Sequence, residues 1–142
     1  METMTTILKE VYGGEGIGVI LQPYQNKKDR FIIRVTDTDE QLPIITVIMD
    51  DETDVRNGRR ICNIIAVVMD DLYEGKGYFS KFIHAIEKNF DEVEFKFVCN
   101  TKMQKILQKK GYTSMQPSEG FIPALYPYGE DDFIPVHMRK VI

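Results

Sequence analysis

Residues 61–69, Ile-Cys-Asn-Ile-Ile-Ala-Val-Val-Met, carry a single strongly polar side chain, Asn63. A strand with one wet face alternates polar and apolar residues, so a run this uniform has both faces covered and lies inside a sheet. The next apolar residues, Phe79, Phe82, Ile83, Ile86 and Phe90, recur at helical spacing, with Lys81, His84, Glu87 and Lys88 elsewhere on the wheel. Val93, Phe95, Phe97 and Cys99 then alternate with Glu94 and Lys96, the pattern of a strand with one better-buried face. A strand, a helix and a strand in succession make a right-handed crossover, which sets 61–69 parallel to 93–99. That pair organises the rest of the fold.

Upstream, Ile17–Leu21, Phe31–Val35 and Pro43–Met49 read as strands separated by polar turns, the last two as an antiparallel hairpin. Asn57-Gly58 is a strong turn signal before the central run. A short helix over Ile7–Tyr12, capped by Thr5 or Thr6, precedes the glycines at 13, 14, 16 and 18. Downstream, Asn100 or Thr101 caps a helix with Met103, Ile106 and Leu107 on one face. Gly111 ends it behind Lys109 and Lys110, whose charge suits a helix C-terminus. Two strands, near 112–116 and 133–141, close the chain around the loop PSEGFIPALYPYGEDD. With 142 residues and no repeat or linker, residues 1–142 form one domain.

Composition narrows the function. The hydrophobic fraction is 43% and the charged fraction 28%, ordinary for a globular protein, and the net charge of −4 gives no footprint for nucleic acid. Asp37, Asp39, Glu40, Asp50, Asp51, Glu52 and Asp54 crowd one stretch, which reads as two solvated loops or as a surface attracting a basic substrate. No apolar run reaches the roughly 20 residues of a membrane span. Cys62 and Cys99 lie in apolar runs without metal-binding spacing, as reduced core thiols of a cytoplasmic protein do.

Between the central strand and its helix stands Glu74-Gly-Lys-Gly-Tyr-Phe-Ser80. The first amides of a helix lack partners and sit at the positive end of its dipole, which makes them a natural seat for phosphate. Glycine allows close approach, Lys76 adds a cation and the Ser80 hydroxyl adds a donor. The plain alternative is a strand-to-helix turn that uses glycine for geometry alone. The spacing fits neither a Walker loop nor a dinucleotide fingerprint.

This segment, with Asn100 to Gly111-Tyr112, resembles the cofactor-binding half of the GNAT superfamily of N-acetyltransferases over residues 60–115. The family's phosphate loop, Gln/Arg-x-x-Gly-x-Gly/Ala, falls on Glu74-Gly75-Lys76-Gly77-Tyr78-Phe79. Compact, divergent members of this kind are similar to those encoded by bacteriophages, for which the host cytoplasm is the implied location. The resemblance implies an α/β fold: a mixed, mostly antiparallel sheet, its central parallel pair splayed around acetyl-CoA, with helices on both faces. It places cofactor contacts on Val67, Val68, Met69, Glu74, Gly75, Lys76, Gly77, Tyr78, Phe79, Ser80 and Asn100, and no metal. It implies direct acetyl transfer to a primary amine, with a backbone amide near Met69 polarising the thioester carbonyl.

Departures from the family pattern shape the expected chemistry. Glu74 stands where a basic or amide residue is usual. Phe79 replaces the last small residue, so its ring should turn into the core. Leu107 occupies the place of the tyrosine that protonates the leaving thiolate, and the glutamate often found on the fourth strand has no counterpart. Asp70, Asp71 and Glu94 are candidate bases that read more simply as surface carboxylates, and Tyr112, Tyr126 and Tyr128 are substitute acids. His84 and His137 receive no role. The acidic segments hint at a cationic acceptor, either a small molecule or a protein. A catalytically silent domain that binds a protein partner, with or without CoA, is the alternative.

Overall fold

The computed structural model describes residues 2–12, 16–24, 30–39, 41–50, 54–56, 58–69, 75, 77–98, 101–117 and 136–142. Helix α1 (Glu2–Tyr12) leads into β1 (Ile17–Pro23), β2 (Arg30–Asp37), β3 (Leu42–Asp50), β4 (Asp54–Arg56) and β5 (Arg59–Met69). Helix α2 (Tyr78–Asn89), β6 (Glu92–Val98), α3 (Thr101–Lys109), β7 (Thr113–Pro117) and β8 (Val136–Val141) follow. The strands form one sheet in the order β1-β2-β3-β5-β6-β8-β7, with β4 hairpinned onto β5. Every described pairing is antiparallel except β5 with β6. The sheet is the mixed, mostly antiparallel one expected, built around a single parallel pair.

Strand β5 behaves as its composition demands. Ile61 to Ala66 are buried without interruption, and burial falls at Val67, Val68 and Met69. The drop coincides with loss of a neighbour. The parallel ladder runs from Ile61↔Glu92 to Ile64↔Phe95 and stops, although β5 continues to Met69 and β6 to Val98. Each strand also bulges there. Against β3, Ile48 faces Ala66 and Met49 faces Ile64, so Ile65 is extra. Against β8, Phe95 faces Met138 and Val98 faces Val136, so β6 carries an extra residue. A bulge bends its strand and increases the local twist, and two of them at the same level drive the strands apart.

Three sequence expectations need correction. Helix α1 begins at Glu2, so Thr5 and Thr6 lie inside it rather than capping it. Met4, Ile7, Leu8 and Tyr12 are its buried stripe, at the helical spacing that a start at Ile7 hides. β4 is a strand that the polar run 50–56 conceals; it pairs Arg56 with Arg59, and Gly58 just before Arg59 has φ 76°. Glu94 is no surface carboxylate: Glu92 and Glu94 are buried on β6 although alternation predicts a wet face.

The main core joins α1 and α2 to Ile33, Val35, Ile45, Val47, Cys62, Ile64, Val93 and Phe95 of the sheet, and includes Leu107 of α3. A smaller cluster, Ile65 and Ala66 with Ile48 and Phe97, lies apart. No helix among the described residues is long and apolar enough to cross a membrane.

Candidate functional site

Where β5 and β6 part, a groove of about 1090 Å³ opens at the ends of the strands. Val67, Val68 and Met69 form one wall, Gly75, Gly77 and the first residues of α2, Tyr78–Ser80, form the floor, and α3 with the residue after it supplies Lys102, Met103, Ile106, Lys109 and Lys110. This exceeds the upper end of ordinary ligand pockets, roughly 300–1,000 Å³, and leaves room for an extended ligand.

The floor is built by the two glycines. Gly75 has φ 76° and Gly77 φ 83°, in the left-handed region that side chains disfavour. Gly77 is the N-cap of α2 and the helix has no side-chain cap. The helix ladder starts with Lys81 N–H donating to the Gly77 carbonyl at 3.1 Å, so the amides of residues 78–80 lie ahead of it, at the positive end of the dipole. No acidic residue occupies the first turn. Ser80 accepts a hydrogen bond from Lys110 Nζ at 3.1 Å, which brings a cation from the end of α3 to this floor. Tyr12 of α1 donates to the Tyr78 carbonyl and stacks at a tilt, 6.2 Å between ring centroids, fixing the start of α2. Burial raises the Tyr12 phenol well above its ordinary value.

The walls divide by chemistry. None of the described lining residues is acidic, and three are lysines, although the chain is anionic overall. The edge of Val67–Met69 that faced β6 has no strand neighbour among the described residues, so its backbone polar groups meet whatever enters. Met103 and Ile106 give an apolar lip. Anion recognition at one end, an open strand edge along the middle and apolar contacts opposite suit a phosphorylated ligand with an amide-containing arm. CoA has that composition, and these residues fit it.

Of the residues anticipated from sequence, Val67, Val68, Met69, Gly75, Gly77, Tyr78, Phe79 and Ser80 meet at the groove. Phe79 is 8% exposed and joins the core, as its bulk requires. Glu74, Lys76, Asn100, Asp70, Asp71, Tyr126 and Tyr128 lie outside the described residues. Tyr112 packs elsewhere. It is 2% exposed, is not a lining residue, stands edge-on to Phe95 at 5.4 Å and has Lys140 Nζ 5.8 Å from its ring centroid. Burial raises its phenol, with the Glu87 charge adding to the shift. Leu107 is fully buried, and the groove side of α3 is carried by Met103, Ile106 and Lys110 instead. Lys102, Lys109 and Lys110 are groove residues that sequence reading missed. Their signal was the i, i+7 and i+8 spacing from Lys102, which puts all three along one side of α3.

No family model matches the sequence, and no curated protein sequence does. Solved structures do match. A ribosomal-protein-S5-alanine acetyltransferase from Vibrio fischeri superposes with a TM-score of 0.52 at 17% identity, over 79% of this chain and 61% of its own. This chain thus spans about three fifths of that protein. A Bacillus subtilis acetyltransferase in complex with CoA gives 0.52 at 12% identity, over 89% of this chain and 99% of its own. A GCN5-related N-acetyltransferase from Kribbella flavida gives 0.51 at 13% identity, over 97% and 89%. The fold is that of the GNAT acetyltransferases.

Proposed function

We propose that this chain, with its GNAT fold, is an acetyl-CoA-dependent N-acetyltransferase acting on a primary amine by direct attack. The observation that carries the reading is the groove itself: a strand pair opened by matched bulges, above an uncapped helix start with two left-handed glycines and beside three lysines. Bound CoA would supply an acetyl group already activated as a thioester. The amides of residues 75–80, with Ser80 and Lys110, would hold the pyrophosphate. The open edge of Val67–Met69 would receive the pantetheine amides as an added strand. The Met69 amide would polarise the thioester carbonyl, and holding an amine against that carbon supplies much of the rate.

A thiolate is a tolerable leaving group, since a cysteine-like thiol has a pKa near about 8.5. An acid in the place of Leu107 is therefore dispensable. The acidic loops of the β2–β3 half favour a cationic acceptor, a small molecule or a protein lysine. The cytoplasm suits a CoA-dependent enzyme, and with a bacteriophage source it would be the host's.

The reading is tested by calorimetric titration with CoA and acetyl-CoA, followed by thiol release in the presence of amines. Binding at micromolar concentration with amine-dependent thiol release is expected. Absence of binding to either compound would sink the proposal. Tight binding without turnover on any amine would favour the silent, partner-binding domain.

A further inference from the structure

The two ends of the sheet are built differently. At one end β7 is five residues long, shifts register between Ser114 and Gln116 and finishes on Pro117, which are devices that keep a sheet edge from adding a strand. At the other end β1, Ile-Gly-Val-Ile-Leu-Gln-Pro, has no charged side chain, and its ladder with β2 runs unbroken from Ile17↔Asp37 to Pro23↔Phe31. Among the described residues no strand lies on its outer side. Val19 packs against the main core, so Ile20 points to the opposite face and Leu21 back to the core side. Ile20 is 48% exposed and Leu21 37%, which puts a large apolar side chain in solvent on each face of this edge.

The ladder also fixes which backbone groups are open. Thr38 N–H donates to the Gly16 carbonyl at 2.8 Å, and Tyr24 N–H to the Arg30 carbonyl at 2.9 Å. Hydrogen-bonded and non-bonded positions alternate along an antiparallel pair. With no bulge between those two bonds, Gly18, Ile20 and Gln22 are the residues bonded to β2. Ile17, Val19 and Leu21 therefore turn their N–H and C=O groups outward. Pro23, next in that series, has no N–H to offer.

A second copy of the chain fits this row. Antiparallel pairing about a two-fold axis at Val19 sets Ile17 opposite Leu21 of the second copy, Val19 opposite Val19 and Leu21 opposite Ile17. Two bonds in each of these three pairs make six, and every outward donor from 17 to 21 is used. Ile20 then stands across from Gly18 of the second copy, where no Cβ opposes it. Moving the axis to Ile20 would face the Ile17 carbonyl with a proline, and moving it to Gly18 would carry Leu21 past the start of β1. Because the strand is uncharged, pairing with itself sets no like charges opposite one another.

We propose that the protein forms a homodimer through β1, the two sheets joining edge to edge about a two-fold axis at Val19. The contact uses the same edge on both copies, so assembly closes at two. β2 and β3 separate β1 from the β5–β6 groove, which leaves a groove open on each copy.

A contact of one strand is small, so the dimer should be concentration-dependent, measured by sedimentation equilibrium from about 5 µM to about 1 mM protein. The mass should rise from 16.5 kDa toward twice that value. Ile20→Lys puts a charge on the edge, and Leu21→Pro removes an outward N–H that β2 does not use. Both variants should stay monomeric over the same range, and Ile20→Lys, at an exposed position, should melt like the dilute wild type. Amide exchange locates the contact: Ile17, Val19 and Leu21 should exchange at least about tenfold more slowly in concentrated than in dilute protein, while Gly18, Ile20 and Gln22 do not change. A wild type that stays monomeric throughout would overturn the proposal. So would a mass that grows past the dimer, the mark of head-to-tail contact, or a dimer that survives both substitutions with no change in those three amides.

Discussion

Gly77 shows how one residue can serve a helix and a ligand differently. At φ 83° its cost for an L-residue is conformational rather than steric, because a Cβ built there meets nothing within 4 Å. Gly77→Ala should therefore lower stability by about 1–2 kcal/mol, measured by chemical denaturation. Asp tolerates the left-handed region better and suits a helix N-terminus. Gly77→Asp should thus melt near the wild type yet lose at least about tenfold in CoA affinity, since its charge opposes the phosphates. Unchanged affinity would show that phosphate lies elsewhere. Cys62 gives a second residue-scale test. Burial pushes its thiol up from 9.0 to about 12. A folded value above the unfolded one means the contribution to stability is complete below pH 9 and is lost as pH rises towards about 12. The phenols of Tyr12 and Tyr112 shift in the same direction from 10.0. Denaturation midpoints should begin to fall near pH 9 in the wild type and nearer pH 10 in Cys62→Ala. A flat wild-type profile from pH 9 to 11 would contradict the burial of the thiol.

At the scale of elements, α1 supports the start of α2 from its core stripe, and α3 presents one face to the core and an adjacent one to the groove. Leu8 is fully buried on the α1 stripe whose last residue, Tyr12, holds the start of α2. Leu8→Ala should cost about 2–5 kcal/mol, measured by urea denaturation. CoA should recover part of that loss by mass action, because only the folded form binds it. In α3 the core and groove faces are adjacent. Leu107 is fully buried while Ile106 lines the groove, so a tyrosine at 107 would enlarge the core rather than reach a ligand. Leu107→Tyr should destabilise by about 1–3 kcal/mol without raising turnover. A stable variant with faster thiol release would show that position 107 turns toward the site.

Across the whole molecule, charge is sorted by location. The chain carries −4, yet the described lining of the groove is basic, while Asp50 and Glu92 on the sheet are matched with Arg30 and Arg139. Lys109 is exposed, so its attraction for a phosphate is screened by salt over a Debye length of about 10 Å at 0.1 M. Lys109→Ala should weaken CoA several-fold at low ionic strength and by much less in 0.5 M salt, measured by titration. A salt-independent loss would mean that Lys109 acts through packing of its stem rather than through its charge.

The central strand, its helix and the parallel return to β6 were legible from residues 61–99 alone, because burial on both faces and helical periodicity are local signals. The same holds for the glycine turn proposed to hold phosphate: glycines, a strand before them and a helix after them are read within a dozen residues. α1 and β4 were obscured, the first because its stripe is clear only once Met4 is counted, the second because its polar sequence is held by pairing with β5. The opening of the sheet was not readable at all. It arises from bulges at Ile65 and after Phe95, and a bulge is defined by the register of a neighbouring strand. The pairing of Glu94 with His137, 43 residues apart, was hidden for the same reason. Alternation marked Glu94 as wet and its strand position said nothing of a histidine; only the β6–β8 register brings the buried Glu94 and the half-buried His137 together.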